Sequence, residues 1–260
     1  MSVSGPLLEA RGLRKEFGGV VAVGGVSFEV FRGEIRAIIG PNGAGKTTIF
    51  NLINGLLPLD GGEVRFQGEP LNGLGPSDRA VLGIGRTFQN LQIFANMTVL
   101  ENVMIGRHRK SRSGVLAALF SMPRARREEG EVTEAARACL AFVGLKGRSD
   151  DPAGSLPFGQ QRLLEIALAL AMEPTLLLLD EPAAGLNPAE VRRLEELIYA
   201  IRERGVTVLL VEHHMDLVMR VSEEVLVLNY GQVLTQGPPA AVQNDPAVIE
   251  AYLGAEEPDA

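Results

Sequence analysis

The chain has 260 residues, of which 46% are apolar and 22% are charged, an ordinary composition for a globular protein with one sizeable core. Its 25 basic and 32 acidic residues give a net charge of -7, which argues against a protein whose main task is to coat nucleic acid. Neither a signal peptide nor an uncharged apolar run of about 18 residues is visible, so we expect a cytoplasmic protein that meets a membrane only through a partner.

The N-terminal part predicts strands separated by glycine-containing turns. Short apolar runs at 7–13 and 20–30 are typical of strands, and "EIRAIIG" at 34–40 has the continuous apolar character of a strand buried on both faces. A helical stretch follows at 46–57, and "EVRFQG" at 63–68 is predicted to be another strand.

From about residue 90 to about residue 172 the sequence has helical character. The only cysteine, Cys139, lies in this part within "ARACLAFV", and a single cysteine excludes an intrachain disulfide. We expect Cys139 to pack inertly on the buried face of a helix.

The last third of the chain returns to strands. Apolar runs at 175–180 and 205–213 flank a helical stretch at 188–205, which predicts a parallel β-α-β unit. The segment 223–237 is predicted to form a hairpin that turns near Tyr230. Together these patterns predict an α/β core in two sequence blocks, interrupted by a helical insert.

A phosphate-binding loop is predicted between the strand at 34–40 and the helix at 46–57. The segment "GPNGAGKTT" matches the pattern G-x-x-x-x-G-K-[ST] in full. Glycines let backbone N–H groups wrap phosphates, and the helix N-terminus adds a favourable dipole. We expect Lys46 to bridge the β- and γ-phosphates of ATP, and Thr47 to ligate Mg²⁺. The residues expected to contact ATP are Gly40, Pro41, Asn42, Gly43, Ala44, Gly45, Lys46, Thr47 and Thr48.

The leucine-rich segment "TLLLLDEP" at 175–182 is predicted to complete the metal site. Asp180 lies at the carboxyl end of the predicted strand, where α/β sheets bind ligands, and it would hold Mg²⁺ directly or through water. Glu181 is placed to polarise an attacking water as general base. Together with the phosphate loop, this pair predicts a nucleotide-hydrolysing P-loop protein.

Further short segments define the class of P-loop protein. The segment "LPFGQQ" at 156–161 indicates a loop that opens onto a helix, where free backbone N–H groups favour an anion. Taken singly, Gln89 in "GRTFQN" reads as a surface glutamine and His213 in "VLLVEHH" as a satisfied core histidine. With "AAGLNP" at 183–188, however, their order and spacing resemble the ATP-binding subunits of ABC transporters over essentially the whole chain.

The resemblance implies the fold and the assembly. The expected fold is α/β, an ABC-type P-loop NTPase core with an N-terminal antiparallel β-subdomain and an inserted helical subdomain. In this family two subunits face each other head to tail, and each ATP lies between one chain's phosphate loop and the other chain's signature segment. The implied divisions of the single domain 1–260 are the core with its β-subdomain at 1–89 and 166–237, the helical subdomain at 90–165 and a tail at 238–260.

The resemblance also implies roles for individual side chains. Gln89 would contact the metal or the attacking water and relay nucleotide binding to the membrane partner, and His213 would hold the γ-phosphate. Gly159 and Gln160 of the signature segment would grip the γ-phosphate of the ATP held by the opposite chain. Phe17 matches the position where an aromatic ring stacks on adenine, with ordinary core packing as the alternative.

Three positions depart from the family pattern. Pro157 stands where the family usually has a serine, and proline offers neither the hydroxyl nor the N–H, so we expect a weaker clamp but not a dead site. Asn187 stands where an aspartate is common, which bears on communication between the two sites. His214 takes a position that is often aspartate.

Four segments, at 85–108, 180–190, 211–219 and 236–254, extend the resemblance to the ATP-binding subunits of branched-chain amino-acid importers. This implies multispanning permease subunits, a second ABC ATPase in a homodimer or heterodimer, indirectly a periplasmic solute-binding protein, and a peripheral position on the cytoplasmic face of the inner membrane. Urea or amide importers and an ATPase of lipopolysaccharide export look similar. A soluble ABC protein acting on DNA or ribosomes is a further alternative, but the chain has one phosphate loop, one cysteine and no heptad run.

The stretch 107–127 is strongly basic and contains no acid around the apolar centre "GVLAALF". A solvated helical excursion is the expected interpretation. Contact with a permease loop or with anionic lipid headgroups is the alternative.

Overall fold

The computed structural model of the chain describes residues 5–89, 91–108 and 123–253. Most of the basic stretch 107–127 and the end of the tail predicted at 238–260 lie outside the described residues. A search of the described helices finds none with the length and apolar character needed to cross a bilayer.

The described strands form two sheets. In chain order they are β1 (Leu8–Phe17), β2 (Val20–Val30), β3 (Ile35–Ile39), β4 (Gly61–Phe66), β5 (Glu69–Pro70), β6 (Ile84–Arg86), β7 (Leu176–Asp180), β8 (Thr207–Val211), β9 (Glu224–Asn229) and β10 (Gln232–Gly237). The first sheet is antiparallel with the order β2-β1-β4-β5, and the second has six strands in the order β10-β9-β3-β8-β7-β6.

The inner strands of the six-stranded central sheet are buried on both faces. Every residue of β3, β7 and β8 is buried, as expected for continuous apolar runs in a parallel sheet covered by helices. Strands β6, β7, β8, β3 and β9 are parallel neighbours, and β10 returns antiparallel to β9. The predicted β-α-β unit and hairpin are therefore confirmed, whereas β6 has only 3 residues and is too short to give a sequence pattern.

Helices surround the central sheet. In chain order they are α1 (Lys46–Asn54), α2 (Pro76–Val81), α3 (Val99–His108), α4 (Pro123–Phe142), α5 (Phe158–Ala171), α6 (Pro188–Glu203), α7 (Met215–Val221), α8 (Pro239–Gln243) and α9 (Pro246–Leu253). The helix predicted at 46–57 ends earlier, because Gly55 adopts φ 78° and its N–H returns to the carbonyl groups of the last turn.

Side-chain alternation along the buried strands divides the core between the two faces of the sheet. On one face Ile39, Leu177 and Leu210 pack with residues of the helical insert, α6 and α7. On the other face Ile38 and Leu178 pack with α1 and the antiparallel sheet. The central sheet is thus the shared wall of both cores, and the loops at its carboxyl edge are held from two sides.

Cys139 is partly buried in α4 and packs against the core, which confirms the predicted packing on the buried face of a helix. Ala136 and Leu140 take the buried positions of the same helix, and Cys139 packs beside them against the core. Burial still raises the pKa of its thiol, which is consistent with an inert side chain.

Arg79 ties the end of α1 to the segment that follows β5. Its side chain is almost fully buried and donates to the carbonyl oxygens of Leu52 and Ile53 at 2.6 and 2.7 Å. It also donates to the carbonyls of Leu71 and Leu74 at 2.8 and 3.0 Å. The carbonyls of Leu52 and Leu71 also accept from the N–H groups of Gly55 and Leu74. Among the described residues, Arg79 is the donor that satisfies the carbonyls of Ile53 and Leu74, which would otherwise be unpaired.

We expect Arg79→Met to destabilise the protein, because methionine fills similar space but leaves the carbonyl groups of Ile53 and Leu74 without a donor. A loss of about 3 kcal/mol is expected from unpaired buried polar groups. For a chain of this size such a loss lowers the melting temperature by roughly 6–12 °C. Thermal melting followed by circular dichroism measures the change, with Arg193→Met on the exposed face of α6 as the control. Equal melting temperatures for the two variants would contradict the role given to Arg79.

Candidate nucleotide site

The loop at 40–48 has the backbone shape of a phosphate cradle. Gly40 and Gly45 adopt φ angles of 149° and 100°, which favour glycine. A Cβ atom at Gly40 would lie 2.2 Å from the carbonyl oxygen of Leu228, and one at Gly45 would lie 2.5 Å from that of Ala22. Helix α1 begins at Lys46 without a side-chain cap or an acidic residue in its first turn, so its first N–H groups are open to an anion.

Lys46 is held against this loop. Its ammonium group donates to the carbonyl oxygens of Gly40 and Pro41 at 2.7 and 2.9 Å. Burial lowers the pKa of Lys46, and the carboxylates of Glu181 and Asp180 oppose that shift. The predicted phosphate-binding lysine and the predicted acidic pair therefore lie close enough to interact.

Asp180 is buried at the end of β7 beside a buried arginine. Its Oδ2 accepts a hydrogen bond from Arg86 at 2.7 Å, whereas its Oδ1 is buried without a partner. Arg86 also donates to Asn51 at 2.8 Å, and its Cζ lies 5.7 and 5.0 Å from the ring centroids of Phe50 and Phe88. Burial raises the pKa of Asp180, and Arg86 opposes that shift. One carboxylate oxygen is thus fixed by the protein, and the other is available to a further partner.

Glu181 is bracketed by two of the residues predicted from the sequence. Its Oε2 accepts a hydrogen bond from the Gln89 amide at 3.1 Å, and its Oε1 lies 2.7 Å from Nε2 of His213. The backbone N–H of Glu181 donates to the carbonyl of Val211 at 2.9 Å, and its φ of 47° is in the left-handed region. Gln89, Glu181 and His213 come from three separate segments and meet at one carboxylate.

A buried ion pair in α5 holds the backbone around Gln89. Arg162 donates to the carbonyl oxygens of Phe88 and Gln89 at 3.0 and 2.7 Å, and it pairs with Glu165 at 3.3 Å. Glu165 accepts from the N–H of Phe88 at 2.9 Å, and burial raises the pKa of this carboxyl group. The helix that follows the signature segment therefore fixes the position of Gln89.

The signature segment packs against the start of α6. Helix α5 begins at Phe158, and Pro157 before it accepts a hydrogen bond from the N–H of Gln160 at 2.9 Å. Gly159 is buried so closely against Glu190 that a Cβ atom would lie 2.4 Å from its Oε1. Gly159 is thus placed beside the start of α6.

Asn187 caps α6. Its side-chain oxygen accepts from the N–H groups of Ala189 and Glu190 at 2.9 and 3.1 Å, and Glu190 accepts in return from the N–H of Asn187 at 3.0 Å. Asparagine and aspartate are equally good in this position. The departure at Asn187 therefore leaves the start of α6 intact.

Phe17 is 46% exposed at the end of β1, so the alternative of core packing does not hold. It pairs with Val20 in β2, two residues from Ala22, whose carbonyl oxygen faces Gly45 of the phosphate loop. Its ring is thus exposed near that loop, with the Lys15 ammonium group 5.5 Å from the ring centroid.

A metal ion in this region would need donors from outside the protein. Among the described residues no group of three or more histidine, cysteine, aspartate and glutamate side chains could hold one. Thr47 is exposed in the first turn of α1, and Asp180 offers its unpaired Oδ1. Mg²⁺ commonly uses one or two protein oxygens together with substrate phosphates, and this donor set fits that habit.

The sequence does not predict the role of several further residues at the site. Arg86, Arg162 and Glu165 become recognisable only once their buried partners are seen, although a charge inside an apolar pattern such as "LLEIALALA" is a signal in itself. Tyr252 in α9 is also near the phosphate loop. Burial raises the pKa of Tyr252 to about 12, and the backbone of Gly40 opposes this increase.

Sequence and structure comparisons agree with this geometry. Residues 23–184 match the ABC transporter family, and residues 232–258 match the branched-chain amino acid ATP-binding cassette transporter family. The chain is 46% identical to the high-affinity branched-chain amino acid transport ATP-binding protein BraF of Pseudomonas aeruginosa, over 97% of this chain and 99% of BraF. It is 42% identical to the corresponding protein LivG of Escherichia coli over the same shares.

The fold is also shared with a solved structure. An ATP-binding cassette of an ABC transporter, in its ADP conformation, superposes with a TM-score of 0.84 at 33% identity, covering 96% of this chain and 100% of that one. The chain therefore belongs to the ABC transporter family, within its group of branched-chain amino acid ATP-binding cassette transporters.

Proposed function

We propose that the chain binds ATP at 40–48 and hydrolyses it with Glu181 as general base, and that this reaction powers the import of branched-chain amino acids. The observation that carries the proposal is the Glu181 carboxylate, held by Gln89 and His213 beside the phosphate-binding lysine. The C-terminal match at 232–258 supports branched-chain amino acids over urea, amides or lipopolysaccharide as the transported solute.

In the proposed reaction Glu181 accepts the proton of the water that attacks the γ-phosphate. A carboxylate serves best as a base when its orientation is fixed, and the hydrogen bonds from Gln89 and His213 supply that orientation. Lys46 and the N–H groups at the start of α1 bind the phosphates and stabilise the negative charge that moves to the leaving group. Phe17 stacks on the adenine ring.

Thr47 and Asp180 are the proposed Mg²⁺ ligands, Asp180 through its unpaired Oδ1 and either directly or through water. Mg²⁺ would neutralise charge on the β- and γ-phosphate oxygens. Gln89 is the third proposed ligand, although its amide donates to Glu181 in this structure.

We further propose that hydrolysis requires two subunits arranged head to tail. The packing of Gly159 against Glu190 of α6, while Lys46 binds the carbonyls of its own loop, supports a role for Gly159 and Gln160 on the ATP of an opposite chain. The N–H groups at the start of α5 would then bind the γ-phosphate across the interface.

The proposed assembly is a peripheral one on the cytoplasmic face of the inner membrane. Multispanning permease subunits would receive the motion of the ATPase dimer, and a periplasmic solute-binding protein would deliver the solute. The names of BraF and LivG support this assignment, because both are transport ATP-binding proteins.

The variant Glu181→Gln tests the catalytic role. We expect ATP hydrolysis to fall by at least about 100-fold, because the amide cannot accept the proton. ATP should still bind and should trap a dimer, which size-exclusion chromatography with and without ATP would detect. The control is Lys46→Ala, for which we expect loss of ATP binding and no trapped dimer. Hydrolysis at the normal rate in the Glu181→Gln protein would refute the assigned base.

The variant Pro157→Ser tests the signature segment. Pro157 has φ -53° and ψ 149°, a conformation that serine adopts readily before a helix. The restored hydroxyl and N–H should stabilise the ATP-bound dimer by about 1–3 kcal/mol, the worth of a charge-assisted hydrogen bond. Made in the Glu181→Gln background, it should lower the dimer dissociation constant roughly 5- to 150-fold. Dissociation constants from analytical ultracentrifugation in ATP that do not differ would count against a phosphate contact at this position.

The pair Arg86 and Asp180 allows a test by double substitution. Arg86→Met leaves the Asp180 charge buried without its partner, which we expect to cost about 3–5 kcal/mol of stability. The double variant Arg86→Met/Asp180→Asn removes that charge as well and should recover most of the loss while remaining without ATPase activity. Urea denaturation followed by fluorescence of a bound dye gives the three unfolding midpoints. A double variant no more stable than Arg86→Met alone would mean that the ion pair does not set the stability of this site.

A further inference from the structure

Glu212 is a buried acid that none of the predicted roles uses. It lies between β8 and His213 and is only 2% exposed. Its Oε1 accepts a hydrogen bond from the N–H of Ala183 at 2.7 Å, and its Oε2 accepts from the N–H groups of His213 and His214 at 2.9 and 3.1 Å. One carboxylate therefore binds three backbone N–H groups from two different segments.

Those two segments carry the catalytic pair. Ala183 belongs to the turn that begins at Glu181, and the N–H of Ala184 closes this turn on the carbonyl of Glu181 at 3.1 Å. The other segment carries the His213 ring, whose Nε2 lies 2.7 Å from Glu181. Glu212 thus fixes the backbone on both sides of the Glu181–His213 contact.

We propose that Glu212 is a positioning residue for hydrolysis, which holds the Glu181 turn and the His213 segment at the separation that their contact requires. The inference rests on the proposed function, because it assigns Glu212 an effect through Glu181 and His213 and no contact with ATP.

This role requires both acceptor oxygens of the Glu212 carboxylate. A carboxylate presents acceptors on both of its oxygens, whereas an amide of the same size presents one acceptor oxygen and one NH₂ group, which only donates. In Glu212→Gln the amide N–H would face at least one backbone N–H, so one of the two segments loses its anchor. Glu212→Asp keeps both acceptors but is one methylene shorter, and it cannot reach both segments at the same distances.

The chain offers a matched control in Glu34. This glutamate is also buried, at 8% exposure, and its Oε2 also accepts a backbone N–H, from Phe31 at 2.6 Å. It precedes β3, at the opposite end of the central sheet from the phosphate loop. Glu34 accepts one backbone N–H group and also pairs with Arg36 at 3.6 Å, so Glu34→Gln removes a buried carboxylate of comparable exposure without touching the site.

The experiment measures kcat, KM for ATP, nucleotide affinity and melting temperature for wild type, Glu212→Gln, Glu212→Asp and Glu34→Gln in the detergent-solubilised transporter. We expect both Glu212 variants to lower kcat on the order of 10- to 100-fold, because small displacements of a base have such effects. ATP affinity should stay within about threefold of wild type, since the phosphate loop is unchanged, and Glu34→Gln should keep the wild-type kcat.

A double-variant cycle with His213→Ala separates positioning from general destabilisation. If Glu212 acts through the Glu181–His213 contact, adding Glu212→Gln to His213→Ala should lower kcat by less than about threefold more. Multiplied losses, a normal kcat in Glu212→Gln, or a fall in kcat that Glu34→Gln reproduces at equal melting temperature would each overturn the inference. If Glu212→Gln does not fold, the same criteria apply to Glu212→Asp. Failure of the proposed function gives a different result: the wild type would then lack ATPase activity, or Glu181→Gln would not abolish it.

Discussion

The carboxyl ends of β3, β7 and β8 meet at one edge of the central sheet, and the whole site depends on that register. Val211 in β8 pairs with Ile38 in β3 on one side and with Asp180 in β7 on the other. Because these strands end at neighbouring positions of the sheet, the phosphate loop, the acidic pair and the His213 segment begin next to one another. A one-residue slip would reverse which side chains face each core and would separate these loops.

Buried charged side chains stabilise the loops at this edge of the sheet. Arg86, Arg162, Glu165, Asp180 and Glu212 are all nearly inaccessible to solvent, and each is matched by a charge or by backbone groups. Removing a partner from such a charge is costly, whereas a complete network holds its members in one geometry. The rigid parts of the site are thus backbone segments fixed by buried charge, and Gln89, Glu181 and His213 are carried on them.

How far the sequence predicts this arrangement depends on the range of the interactions involved. The phosphate loop and the strand before Asp180 follow from local patterns, because each needs only its own residues and its own periodicity. Strand β6 and the anchors of Gln89 do not, since Arg162 finds the carbonyl of Gln89 across 73 positions of sequence.

The left-handed backbone conformation of Glu181 lowers the stability of the protein, although the proposed catalysis needs a glutamate at this position. A residue with a side chain at φ 47° is strained by about 1–3 kcal/mol, and glycine or asparagine would be accommodated more easily there. Directed evolution that selects only for heat resistance would therefore favour glycine or asparagine at position 181. Either substitution removes the carboxylate that we propose as the general base. Libraries based on this scaffold need a turnover screen at every round, because the most heat-resistant clones would be expected to include inactive ones.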